Sequence, residues 1–336
     1  MLGKTTDSSN LNHYDAILFV SFGGPERMAE VIPFLENVLR GRNVPRERML
    51  QVAKHYELFG GLSPINQQNR NLIASLKQEL VANGPNLPIY WGNRNWHPLL
   101  PDTLQQMAED GINRALAFVT SAYSSYSSCR QYRENIRDAQ DAVGPSAPEV
   151  HKLRAFYNHP LFIEANVAQI RTALAQVAGS PHLVFTAHSI PESMAATCEY
   201  AAQLNEASRL VAEALGQKNW QLVYQSRSGS PMQPWLGPDV CDHLRGLKAD
   251  GITDVVVAPI GFISDHMEVI YDLDVEARKV ADELGLRMIR AETAGTHCLF
   301  VKMIRELILE RTNGLPVRTI GLHDPSHDVC PVDCCL

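Results

Sequence analysis

One short pattern occurs twice: an apolar run ends in a tight loop and is followed by Pro-Glu and then Met. It reads LFVSFGGPERM from Leu18 to Met28 and VFTAHSIPESM from Val184 to Met194. Pro and Glu in a first turn suit a helix start. Each copy therefore predicts a strand, a turn and a helix, and the pair predicts a chain built from two similar halves. Further strand-like runs fall at 89–91, 115–120, 221–225 and 255–259, besides 16–22 and 183–187, with amphipathic helical stretches between them. Such alternation builds parallel sheets flanked by helices. The expected fold is α/β with two Rossmann-like lobes, 15–147 and 148–325, divided in the Gly- and Pro-containing loop at 142–148. A flexible stretch, 1–14, is expected before them and a cysteine-rich segment, 326–336, after them. A length of 336 residues suits two such lobes.

In α/β sheets, chemistry gathers where strands stop. His188 stands at such a point in FTAHSIPE. A second strand end runs into FISDHMEVIYDLDVE, where Glu268, Asp272 and Glu276 recur at i, i+4 and i+8. On a helix these carboxylates share one face, and like charges stacked there destabilise it. A row that binds cations or passes protons gives that cost a use; spacing alone fits a solvated face as well. His188 alone is equally compatible with a capped interior histidine.

The net charge is −7 and basic residues are dispersed, which argues against a nucleic-acid partner. The exception is Arg40, Arg42, Arg46 and Arg48, a group that invites an anionic ligand because guanidinium forks pair with carboxylates. Arginines late in a helix also suit its dipole. The loop from Arg227 to Pro238 is long and rich in Gly and Pro, yet it carries Met232 and Trp235, which could cover a flat aromatic ligand. Cys330, Cys334 and Cys335 crowd the tail CPVDCCL. Adjacent cysteines make a poor structural disulfide, and crowded thiolates favour zinc or an iron–sulfur group. Cys198, Cys241 and Cys298 read as ordinary thiols. The longest apolar run, 255–263, is too short to cross a bilayer, and the first residues lack a signal pattern, so a cytoplasmic location is expected.

FTAHSIPESM, YQSRSGSPMQPWLGP and PIGFISDHMEVIYDLDVEA, with VSFGGPERMAEVIPFLENVLRGR and HYELFGGLSPINQQN near the start, together resemble ferrochelatase, which inserts ferrous iron into a porphyrin, and they stand in the family's order. The resemblance runs from about Asp15 to the last residues. It implies two chelatase-type lobes with a porphyrin cleft between them, and ferrous iron as a substrate. It implies that His188 is proton acceptor or metal ligand, working as a neutral imidazole, that Glu268 is its acidic partner, and that Asp272 and Glu276 form a path for protons or metal. Phe22, Arg40, Arg42, Ser63, Tyr123 and Trp235 are implied as porphyrin contacts, and Phe22 cannot ligate iron. AYSSYSSCRQY is similar to actinobacterial members, which implies a [2Fe–2S] cluster on Cys129, Cys330, Cys334 and Cys335. It also implies coproporphyrin III as substrate, although His55 stands where some relatives on that substrate have an arginine. Protoporphyrin IX, a chelatase for another metal, and a non-catalytic haem or iron sensor remain open. So does docking of neighbouring haem-pathway enzymes.

Overall fold

The computed structural model describes residues 13–41, 44–229 and 232–335. Its strands are β1 (Ala16–Ser21), β2 (Ile89–Asn93), β3 (Arg114–Val119), β4 (Glu149–Lys152), β5 (His182–His188), β6 (Trp220–Gln225), β7 (Asp254–Ala258) and β8 (Arg287–Arg290). They form two four-stranded parallel sheets, ordered β2-β1-β3-β4 and β6-β5-β7-β8. Adding four to each strand number of the first sheet gives the second. The repeated strand, turn and helix therefore reports a repeated topology.

The central strands are buried on both faces: all six residues of β1 are buried, as are Leu183 to Ala187 of β5. Such strands read as continuous apolar runs, which is why the sequence shows them. The edge strands β4 and β8, Glu-Val-His-Lys and Arg-Met-Ile-Arg, escape that reading because charged side chains occupy their solvent-facing positions.

In the first half, α1 (Met28–Val38), α2 (Arg46–Glu57) and α3 (Ile65–Asn83) follow β1, α4 (Leu100–Glu109) follows β2, and α5 (Gln131–Val143) follows β3. In the second, α6 (Pro160–Leu174) precedes β5. α7 (Glu192–Ala195) and α8 (Tyr200–Leu215) follow β5, α9 (Val240–Ala249) follows β6, α10 (Met267–Tyr271) and α11 (Arg278–Leu284) follow β7, and α12 (Cys298–Thr312) follows β8. One buried cluster joins the two sheets, with Phe19 and Phe118 from the first, Phe185 from the second, and Phe162 of α6 and Phe300 of α12 between them. The Phe118 and Phe156 rings stack at 5.6 Å between centroids, and Phe156 lies 5.9 Å from Phe300. Tyr123 completes this join: its hydroxyl donates to the Ile260 carbonyl at 2.8 Å, from the end of β3 to the end of β7.

Beyond α12 the chain runs back over the body, held largely by buried side chains. Arg154 forks onto Glu310 at 2.8 and 2.9 Å and also donates to the Arg318 carbonyl at 3.0 Å. Asn158 donates to the His323 carbonyl at 3.0 Å, and Glu206 accepts from the Leu322 amide at 2.6 Å. Among the described residues no helix is long and apolar enough to span a membrane.

Candidate functional site

His188 is the last residue of β5, where Ser189, Ile190 and Pro191 turn the chain into α7. Its carbonyl accepts from the Tyr200 hydroxyl at 3.0 Å, and its ring Nδ1 lies 2.5 Å from the Ser189 carbonyl, which makes Nδ1 a donor. Gly261, just after β7, lets that loop press against β5, since a Cβ there would come within 2.5 Å of the Ala187 Cβ. The loop then delivers His266, whose Nδ1 accepts from the Glu268 amide at 3.2 Å and caps α10. Gln225 of β6 donates to the Glu268 carbonyl at 2.8 Å, tying the helix start to the strand beside His188.

Glu268 Oε1 therefore stands 3.5 Å from His188 Nε2, and its Oε2 stands 3.9 Å from His266 Nδ1. The side chains of His188 and Glu268 are 29% and 50% exposed, so a ligand can reach them. Burial alone would pull the His188 imidazole down, but the Glu268 carboxylate, the Ser189 carbonyl and Asp272 push it up to about 9. Burial would likewise raise Glu268, but His188 and then His266 draw it down to about 2. These effects favour an imidazolium beside a carboxylate, against the neutral imidazole that the resemblance implies. His266 is pushed down by burial and by His188, against the Glu268 carboxylate.

The acidic row is present, on a helix that is not uniformly α. Between α10 and α11, residues Asp272–Ala277 form a π-turn, a feature frequent at functional sites. Asp272 accepts from the Ser226 hydroxyl, and burial followed by Glu268 and Glu276 pushes its carboxyl up to about 7. Glu276 is raised by burial and by Asp239, against the Tyr271 hydroxyl. The three carboxylates feel one another in sequence, as the spacing predicts.

The expected rim residues spread over several settings. Phe22 is half-buried, 6.2 Å from the Phe34 ring, with the Arg94 guanidinium 5.7 Å from its centroid. Arg40 is exposed and donates to Asn37 Oδ1 at 2.6 Å. Arg42 lies outside the described residues. Ser63 is 3% exposed, and its Cβ would lie 2.8 Å from any Cβ added at Gly24. Tyr123 is 1% exposed and is occupied by its link to Ile260. Trp235 lies half-buried across Gly229, with a buried indole N–H that has no partner among the described residues. His55 stacks on Tyr271 at 3.7 Å, which ties α2 to the site helix.

The cysteines of the tail come back to Cys129. The Cys330 thiol hydrogen-bonds Cys129, and the Cys334 and Cys335 sulfurs are 3.6 Å apart. That hydrogen bond, with Lys152 and Arg133 nearby, pulls the Cys129 thiol down to about 5 against burial. Among the described residues, however, no group of three His, Cys, Asp or Glu side chains is arranged to hold a metal ion.

The ferrochelatase family model matches residues 14–312. The chain belongs to the ferrochelatase family. It is 56% identical over 333 residues to a ferrochelatase of Rhodopirellula baltica, covering 98% of this chain and 95% of that protein. It is 48% identical over 356 residues to the coproporphyrin III ferrochelatase of Streptomyces coelicolor, covering 98% of this chain and 95% of that one. Among solved structures, SirB from Bacillus subtilis with Fe3+ superposes with a TM-score of 0.55 at 12% identity, covering 90% of this chain and 98% of that one, a likeness of fold. In this ferrochelatase the sequence reading passed over His266 and Ser226. A helix-capping signal before Glu268 marks His266 in retrospect, whereas Ser226 carries none, because its role depends on a left-handed φ of 62°.

Proposed function

We propose that this ferrochelatase inserts ferrous iron into coproporphyrin III, with release of two protons, and that it carries a [2Fe–2S] cluster on Cys129, Cys330, Cys334 and Cys335. The observation that carries the insertion reading is the His188–Glu268 pair, 3.5 Å apart at the end of β5 and open to a ligand. Insertion needs a base for the pyrrole protons and a route by which they leave. His188 faces the substrate, and the carboxylates of Glu268, Asp272 and Glu276 lead away from it. A ferrous ion entering the cleft inverts the local electrostatics, so the resting imidazolium gives up its proton. Asp272, near 7, is poised to take that proton and pass it on.

The coproporphyrin reading is favoured by the 48% identity to the streptomycete enzyme. The exposed Arg40 and its neighbours Arg46 and Arg48 offer cations for propionates. The four cysteines fit an iron–sulfur group in donor chemistry, since Cys129 is held toward the thiolate that ligation requires. Such a cluster supplies one-electron chemistry or a tie for the tail. Insertion of a divalent ion is redox-neutral, so no step runs through it.

An anaerobic assay with ferrous iron and either coproporphyrin III or protoporphyrin IX tests the substrate. Turnover of coproporphyrin alone is expected; preference for protoporphyrin overturns the specificity, and turnover of neither brings forward the sensor reading. Visible absorption of anaerobically purified protein tests the cluster separately.

A further inference from the structure

Away from His188, the described residues form a half-open pocket of about 250 Å³ between α5, β4 and the C-terminal segment, lined in part by Arg133, His151, Lys152, Arg311, Asp328 and Cys330. Three permanent cations meet there in a chain whose net charge is −7. His151 adds no free donor, because Tyr14 and Glu149 engage its two ring nitrogens at 2.9 and 2.8 Å. The two arginines are poorly supplied with acceptors. Arg133 Nε is buried with no partner among the described residues. Arg311 Nη1 is also buried without a hydrogen bond, 3.5 Å from Asp328 Oδ1, the one carboxylate lining the cavity. Lys152 Nζ donates to the Leu153 carbonyl at 2.9 Å and also hydrogen-bonds the Cys129 sulfur.

Elsewhere this chain pairs its interior arginines closely, as with Arg154 on Glu310 and Arg290 on Asp274. Buried guanidinium donors without acceptors are costly, and a bound anion is the ordinary remedy. The volume falls below that of pockets that take drug-sized molecules, which restricts the occupant to a small ion. We propose that this cavity binds a small oxyanion of at least two negative charges, a polycarboxylate or a phosphate, with Arg133 and Arg311 as forked donors and Lys152 as a point charge. Asp328 and Cys330 belong to the C-terminal segment, so the bound ion bridges that segment to α5 and β4 beside the thiols. The site borders the proposed cluster, since Cys330 lines it and Lys152 also reaches Cys129.

Calorimetric titration of the full chain with inorganic phosphate and, separately, citrate, against chloride at matched ionic strength, tests it and separates the two sources. One saturable site with a dissociation constant of about 1 mM or tighter is expected for at least one of them. Arg133→Gln or Arg311→Gln should weaken it about tenfold, the loss of one charge-assisted hydrogen bond. Asp328→Asn should tighten it by removing the competing carboxylate, a gain that a damaged fold cannot mimic. No saturable heat up to about 20 mM of either ion overturns the proposal. So does binding that is the same in all three variants as in the parent.

Discussion

At the residue scale the candidate site rests on two side chains that the sequence singles out and the fold brings together. His188 and Glu268 were legible because both sit where an apolar run stops, a signal that survives in one dimension. Their pairing was not legible, because it depends on how β5 and α10 bring them to 3.5 Å. On the proposed mechanism His188 meets the pyrrole protons, so with His188→Ala insertion should fall by about a hundredfold or more while porphyrin binding persists. Steady-state turnover and porphyrin fluorescence titration, measured side by side, check this; near-normal turnover removes His188 from the mechanism.

A second histidine governs acid stability rather than chemistry. His159 is fully buried, caps α6 by accepting from the Leu161 amide at 3.2 Å, and is pushed down to about 3 by burial and by Arg154. Glu306 lies 3.4 Å from Nε2 but is held by Arg318 at 2.5 Å. Because the folded value lies below the ordinary 6.5, the unfolded chain takes up a proton where the folded chain does not. The group is neutral to stability above about 6.5, and below that it removes about 1.4 kcal/mol per pH unit until the pH nears the folded value. Asn can keep the cap without titrating. Urea unfolding of His159→Asn between pH 7 and 5 should therefore show a slope shallower by about that amount.

At the element scale the helix after β7 departs most from what periodicity conveys. The i, i+4, i+8 row predicted three carboxylates on one face, and they are there, but the π-turn over Asp272–Ala277 replaces the regular helix the spacing implied. A π-turn lengthens the ladder by one residue, and nothing in the local residue types announces it. Ser226 is similar: it leaves β6 with φ 62°, a strained value for a residue with a Cβ, and spends its hydroxyl on Asp272. That hydroxyl lowers the Asp272 carboxyl against burial. Ser226→Ala should therefore move it upward, so that Asp272 stays protonated to a higher pH and, on the proposed proton route, accepts the outgoing proton less readily. The acid limb of the pH–rate profile should shift to higher pH, with the plateau at alkaline pH retained. An unmoved limb would detach Asp272 from proton release.

At the scale of the whole molecule, the duplicated strand, turn and helix foretold two equivalent sheets, while the route of the C-terminal segment stayed hidden because polar contacts between distant residues have no local signature. Arg154 and Glu310 are the centre of that fastening, with side chains 1% and 4% exposed. A buried pair of this kind contributes little net stability when it replaces apolar packing, yet losing one partner leaves a charge stranded in the interior. Arg154→Ala strands Glu310 and also removes the donor to the Arg318 carbonyl. Unfolding free energy should drop by about 3–5 kcal/mol. The loss should appear first in the segment that Arg154 retains, so limited proteolysis should cut beyond α12 before the body unfolds. The double variant Arg154→Met, Glu310→Leu strands no charge and should recover most of the global stability, while still lacking the bond to the Arg318 carbonyl. If that double variant were cut as slowly as the parent, the carbonyl contact would be dispensable, and Asn158 and Glu206 would be sufficient to hold the segment down.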